Sequence, residues 1–81
     1  MGTVGKALGL LKRQAELETG MKQPGGIRIT EEREHRFLQH RLANFPEAMK
    51  AVVQGSHALR RPIAEITALE VESWARSVRL T

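Results

Sequence analysis

The stretch QPGGIRITEERE, residues 23–34, decides how the rest of the chain is arranged. A proline and two glycines interrupt it, because proline cannot continue a helix and glycine adopts turn conformations without steric cost. Residues 27–30, IRIT, then alternate apolar and polar side chains as a strand does. Thr30 is a suitable N-cap, and Glu31 and Glu32 are favourable at the positive end of a helix. The stretch predicts either a hinge before a helix or a short strand before a helix.

These two interpretations differ in what residues 27–30 contact. In the hinge, Ile27 and Ile29 pack down as the chain enters the second helix. A single short strand instead needs a partner for its backbone groups, and a second copy of the chain could supply it. The order strand, helix, short turn, helix over residues 27–60 resembles the ribbon-helix-helix family. That resemblance implies a dimer whose paired strands place Arg28 and Thr30 in the major groove of DNA.

The length and the missing cysteines limit what the chain can be. The 81 residues predict one small domain, 1–81, with a flexible loop at 19–26. Such a domain buries a modest core, and without cysteine it has no disulfides to support it. A second copy would add buried area, so we predict a homodimer. No window approaches the roughly 18 apolar residues of a membrane span, and we expect a cytoplasmic protein without membrane contact.

The charge favours an anionic partner. Thirteen basic residues oppose nine acidic ones, for a net charge of +4, and arginine, whose planar fork suits phosphate, is the commonest cation. Residues 1–30 carry five cations and two anions, and residues 46–61 carry three cations and one anion. Residues 31–45 are balanced. The positive potential is therefore predicted to lie in the first and third segments.

Proline positions and apolar spacing predict a mainly all-α bundle of four short helices, with one short strand at 27–30 if two copies pair. Proline fits the first helical turn, so Pro46 and Pro62 mark helix starts. The predicted helices span 4–18, 31–43, 46–60 and 62–79. Trp74 is the expected core anchor, packing on Phe37 of the second helix. Glu70 lies on the same side as Trp74, so it is either paired or reaches water at the edge of the apolar stripe.

No catalytic or metal-binding pattern is present. His35 and His40 lie five residues apart on different sides of one helix, and no cysteine or aspartate completes a zinc site. Ser56 and His57 are adjacent, and helical neighbours diverge by about 100°, so they form no nucleophile–base pair. We therefore expect no enzymatic activity, no metal and no cofactor.

The third helix has the sharpest functional signal. Its apolar side carries small residues, including Ala48 and Gly55, which let another helix approach closely. Cationic and polar side chains lie on its opposite side and just beyond its end. With Arg28, they form the predicted nucleic-acid-binding set: Arg28, Lys50, Gln54, His57, Arg60 and Arg61. The alternative is a solvated helix face.

Aromatic side chains bear on the kind of nucleic acid. Phe37, Phe45 and Trp74 all look committed to packing. Single-strand recognition relies on aromatic rings that stack on bases, so this pattern argues against sequence-specific binding of single-stranded RNA.

The first helix supplies the other hypothesis. One apolar stripe comprises Val4, Leu8, Leu11 and Ala15, and a second stripe on another face comprises Leu10, Leu17 and Met21. The second stripe is predicted to contact a protein partner or a second copy, unless its leucines are simply exposed. Two functions follow: a small basic, non-enzymatic regulator that binds nucleic acid, DNA in particular, as a homodimer, or an adaptor or inhibitor that binds a protein through the second stripe.

Overall fold

A computed structural model of the chain describes residues 2–79 and contains four α-helices in that range. The helices are α1 (Thr3–Met21), α2 (Ile29–Leu42), α3 (Pro46–Leu59) and α4 (Ala68–Arg79). The predicted all-α bundle of four short helices is confirmed. Over the same described range, none of the helices combines the length and the apolar character that crossing a membrane requires.

The bundle is organised around α1. This helix contacts α2, α3 and α4, and α3 also contacts α4. The main core gathers apolar side chains from the four helices and from the segment before α4; its buried members are Ala7, Leu8, Leu11, Leu42, Ala48, Val52, Ile66 and Val71. Leu8 and Leu11, two members of the first apolar stripe of α1, are therefore both buried. The molecule is elongated, measuring 47 × 24 × 16 Å along its principal axes.

The start of α2 differs from the sequence prediction. Ile29 and Thr30 are already helical, and Arg28 occupies the N-cap position. The Arg28 backbone N–H donates to Glu31 Oε1 at 3.1 Å, which satisfies one of the backbone donors at the helix start. Thr30 is therefore not the cap. Residues 27–30 form no strand in the described single chain, and a strand made by two paired chains stays a prediction.

The two isoleucines at this entry behave differently. A Cβ added at Gly20 would lie 2.8 Å from Ile27 Cγ2, so the half-buried Ile27 packs directly on the end of α1. Ile29 is 63% exposed. The expectation that both pack down is confirmed for Ile27 and wrong for Ile29, because Ile29 lies on the solvent side of the first turn of α2.

The connection between α1 and α2 is shorter than predicted. α1 continues to Met21, so the first three residues of the predicted loop 19–26 are its last turn. Gly25 and Gly26 have φ angles of 91° and 66°. These left-handed conformations favour glycine, which explains why the turn needs both.

Trp74 lies in the contact between α3 and α4. A Cβ added at Gly55 would lie 3.3 Å from Trp74 Cε3, so the close approach predicted for the small residues of α3 occurs, and the neighbour is α4. Trp74 is half-buried. Phe37 is 60% exposed. The predicted packing of α4 on α2 through Trp74 and Phe37 is therefore wrong, because Trp74 packs into the gap that Gly55 leaves.

A capping box sets the start of α4. The helix begins at Ala68 rather than at Pro62, and the residues after Pro62 form a separate turn. Thr67 Oγ1 accepts from the Glu70 N–H at 3.2 Å, and the Thr67 N–H donates to Glu70 Oε1 at 3.1 Å. The sequence TALE, residues 67–70, has this pattern, which overrides the proline as a start signal. Glu70 is therefore paired, the first of its two predicted states.

Candidate nucleic-acid interface

The outward side of α3 is fixed by what the helix buries. Val52 is fully buried and Gly55 is buried against Trp74, so the opposite side of the helix faces solvent. Lys50, Gln54 and His57 lie on that side and are exposed. Their spacings of four and three residues place them in one row about 10 Å long, at 1.5 Å per residue.

Arg60 ends α3 in an unusual conformation. Its φ of 54° makes it the one non-glycine residue of the described range with a positive φ. Its N–H donates to His57 O at 3.2 Å, and the Arg61 N–H donates to Ser56 O at 3.1 Å, so the two bonds close the helix end. Glycine usually occupies this position, because a side chain costs about 1–2 kcal/mol in the left-handed region. Arg60 is exposed and extends the row on α3.

Arg61 makes contacts within the chain. Its guanidinium donates to Glu65 O at 3.1 Å and lies 3.6 Å from a Glu70 carboxylate oxygen. Ser56 Oγ also donates to the Arg61 carbonyl. A phosphate at Arg61 would compete with Glu70, so this arginine links the end of α3 to the start of α4. We define the α3 basic face without it, as Lys50, Gln54, His57 and Arg60.

Arg28 lies on another part of the molecule. It is exposed at the N-cap of α2, in the turn that follows α1. The other five predicted nucleic-acid residues lie on α3 or directly after it. Five of the six predicted nucleic-acid-binding residues therefore lie on α3 or at its end. The sixth, Arg28, lies in the α1–α2 turn.

The predicted apolar stripe of α1 is not an open surface. Leu17 is 2% exposed and Leu10 is half-buried against the main core. Met21 is 39% exposed. The stripe interpretation is corrected for Leu17 and Leu10, because a helix that contacts three neighbours buries more than one of its sides.

Exposed apolar side chains occur instead between α3 and α4. Leu59 and Leu69 are 37% and 68% exposed. Together with Trp74 they line an open groove of about 480 Å³. Glu70 and two serines complete its wall.

A second basic surface on α2 was not predicted from the sequence. At 100° per residue, its side chains fall within an arc of about 140°, and all of them are exposed. We call it the α2 outer face; it comprises Arg33, Arg36, Phe37, His40 and Arg41. The Arg41 guanidinium carbon lies 5.9 Å from the centroid of the Phe37 ring. The expectation that Phe37 is committed to packing is therefore wrong.

The glutamates of α2 lie outside this arc. Glu34 forms a two-point ion pair with Arg13 of α1, at 2.7 and 2.9 Å. The hydrogen bonds from Arg13 lower the pKa of the Glu34 carboxyl below its ordinary value. Glu31 caps the helix start, and Glu32 is exposed on the flank of the arc, about 40° beyond Arg36.

The cations of the two faces have no acidic partner among the described residues. Among residues 2–79, glutamates pair with Arg13, His35 and Arg61. Arg33, Arg36 and the cations of the α3 basic face make no ion pair in that range. The helical spacing of α2 could have identified its outer face, since all three glutamates fall outside the arc, with Glu34 about 20° beyond Arg41.

The remaining chemistry of the described residues is sparse. Within residues 2–79, no three histidine or glutamate side chains come together as a metal site would require. Comparison with protein-family models, with curated proteins and with solved structures finds no match for this chain.

Proposed function

We propose that this chain is a small basic, non-enzymatic regulatory protein that binds nucleic acid through the α3 basic face. The observation that carries the proposal is an exposed row of donors, Lys50, Gln54 and His57, extended by Arg60 and left without acidic partners in the described residues. Arg60 adds weight, because a costly backbone conformation that persists is often linked to function.

The chemistry of the row suits a polyanion. Lysine and arginine donate charge-assisted hydrogen bonds to phosphate oxygens, and these contacts position a protein without reading sequence. Gln54 lies between the cationic positions and offers both a donor and an acceptor, the pattern that matches an adenine edge. An exposed helix face of this kind fits the major groove of a duplex.

Homodimerisation remains part of the proposal. A dimer would double the net charge of +4 and present two α3 basic faces to one duplex. Sedimentation equilibrium of the free protein measures its mass directly. A monomer at the concentrations used for binding would remove the dimer from the proposal without removing the α3 contact.

A fluorescence anisotropy titration with a labelled random-sequence duplex, repeated at several salt concentrations, tests the binding. Each phosphate that a cation neutralises should lower log affinity by about 0.9 per unit of log salt concentration. Changing Lys50→Gln together with Arg60→Gln should weaken binding and reduce that slope by about 1.8, because two phosphate contacts are lost.

The matched control removes an arginine elsewhere. Arg76 is exposed on α4, and among the described residues its guanidinium donates only a long 3.4 Å bond to Ser73 Oγ. Arg76→Gln should leave the slope nearly unchanged. Equal losses in the Arg76 variant and in the double variant would contradict a localised site, and no duplex binding at low salt would contradict the proposal itself.

The adaptor function has a different surface from the one first predicted. The groove lined by Leu59, Leu69 and Trp74 supports it, because Leu59 and Leu69 expose apolar surface there. Leu69→Glu should abolish capture of a protein partner while the helix content is retained. Retained capture would exclude the groove as the adaptor surface.

A further inference from the structure

We propose that the α2 outer face binds a single-stranded nucleic acid, with Phe37 as a stacking platform and Arg33 and Arg36 on the phosphates. This inference shares with the proposed function only the class of partner, a nucleic acid. The surface is a different one, because it lies on α2 and not on α3. The exposure of Phe37 also removes one premise of the expectation against sequence-specific binding of single-stranded RNA, which assumed that this ring is packed.

The exposed ring is the first step. Phe37 leaves 60% of its surface in solvent, although α2 buries Leu38 and Leu42 on its other side. The Arg41 guanidinium lies over the ring, 5.9 Å from its centroid. Aromatic rings combined with arginine planes are the groups on which unpaired bases stack.

The phosphate contacts are the second step. Arg33 precedes Phe37 by four residues and Arg41 follows it by four, so one cation lies about 6 Å along the helix on each side. Arg36 and His40 fill the rest of the arc. The arc contains no acidic residue, since the three glutamates of α2 fall outside it.

Charge distinguishes the occupants. Ile29 and Phe37 are exposed apolar side chains on this side of α2, which would suit a second copy of the chain. A symmetric contact centred on Phe37 would, however, bring the arginines of the two copies close together with no acid in the arc to pair with them, and like charges oppose that. A duplex offers phosphates but hides its base faces, so it would leave Phe37 unused. A single strand satisfies the arginines and the ring together.

The experiment compares two labelled probes by fluorescence anisotropy: an oligothymidylate of about a dozen nucleotides, within the known range of single-strand site sizes, and the random-sequence duplex. Phe37→Leu should weaken oligothymidylate binding by about five-fold or more, because a stacked base is lost, and should leave duplex binding unchanged. Phe37→Tyr keeps the ring and should restore single-strand binding.

The arginines give a second, independent variant. Arg33→Gln with Arg36→Gln should reduce the salt slope for oligothymidylate by about 1.4, at about 0.7 per contact. Lys50→Gln with Arg60→Gln is the matched control from α3. It should weaken the duplex more than the single strand, so failure of the proposed function and failure of this inference are seen in different titrations.

Three results would overturn the inference. If Phe37→Leu binds oligothymidylate as tightly as the wild type does, no base stacks on Phe37. Polyglutamate could compete as well as the oligonucleotide does, which makes the surface a site for acidic protein. A dimer mass that Phe37→Leu abolishes would assign the face to a second copy. Circular dichroism measures the helix content of each variant. If Phe37→Leu does not fold, the arginine variant tests the inference.

Discussion

α2 and α3 have the same length of 14 residues and both pack on α1, yet they distribute their charges in different ways. α3 uses its inner side for small residues that let α4 approach. Its outer side carries Lys50 and His57, with Glu47 in the first turn. On α2, Glu31 caps the helix start, Glu34 pairs with α1 and Glu32 lies on one flank. The outer arc carries arginines and an exposed ring.

The difference shows that the net charge of a segment does not give the charge of a surface. Residues 31–45 sum to zero, but the outer face of α2 contains no acid, and Glu34, beside the edge of that face, is paired with Arg13. Residues 46–61 have the larger net charge, but Arg61 is held by Glu65 and Glu70. The partner is therefore better inferred from each helix face than from each stretch of sequence.

The largest expected effect contrasts the two sides of α2. Leu42 is 3% exposed in the main core, and Leu42→Ala should lower the free energy of unfolding by about 2–5 kcal/mol, since it leaves a cavity. Phe37→Ala should change it by less than about 1 kcal/mol, because most of that ring is already in water. Urea unfolding followed by circular dichroism measures both. If the two variants lose equal stability, Phe37 is packed in solution and the α2 outer face is not open.

The inner side of α3 gives the next largest effect. Gly55→Val should lower the free energy of unfolding by about 1–3 kcal/mol, because even a Cβ there lies 3.3 Å from Trp74. Gly9 is the matched control: it is a helical glycine with nothing within 4 Å of an added Cβ. Gly9→Ala should stabilise the protein by about 0.5–1 kcal/mol through helix propensity. Stabilisation by both substitutions would mean that α3 and α4 do not meet at Gly55.

Local signals were sufficient to predict the helices. Pro46, the glycines of the α1–α2 turn and the apolar stripes predicted four helices, and the end of α3 was placed within one residue. The start of α4 was predicted wrongly because the sequence contains two start signals, a proline and a capping box. The helix begins at the capping box, where Thr67 and Glu70 exchange hydrogen bonds between side chain and backbone.

Pairings between helices could not be predicted in the same way. An apolar stripe on one helix does not specify which helix packs on it. Trp74 was therefore predicted to pack on Phe37, whereas in the structure it packs against Gly55. The exposure of Phe37 likewise depends on which side of α2 meets α1. The outward side of α3 was predictable because its small residues and its cations lie on opposite sides.

A smaller effect separates stability from binding at the end of α3. Arg60→Gly should raise the free energy of unfolding by about 1 kcal/mol, because glycine adopts the left-handed conformation without the cost of a side chain. The same change should weaken duplex binding and leave oligothymidylate binding unchanged. Arg60→Lys keeps the charge and the strain, so it should bind the duplex without gaining stability. Tighter duplex binding by Arg60→Gly would contradict a phosphate contact at Arg60.

The smallest effect concerns the ion pair that removes an acid from the surface of α2. Arg13 lowers the pKa of Glu34, so the pair stabilises the fold above the ordinary carboxyl pKa of 4.5, and this contribution is lost as the pH falls below that value. Glu34→Gln should therefore be less stable than the wild type at neutral pH, and the difference should shrink in acid. Glu65→Gln removes the same charge from the exposed turn before α4, where this side chain has no ion pair in the described residues, so its stability should follow the wild type. Thermal unfolding at a series of pH values distinguishes the two. A constant difference between Glu34→Gln and the wild type down to acid pH would mean that packing, and not the charge pair, holds α2 on α1 at this point.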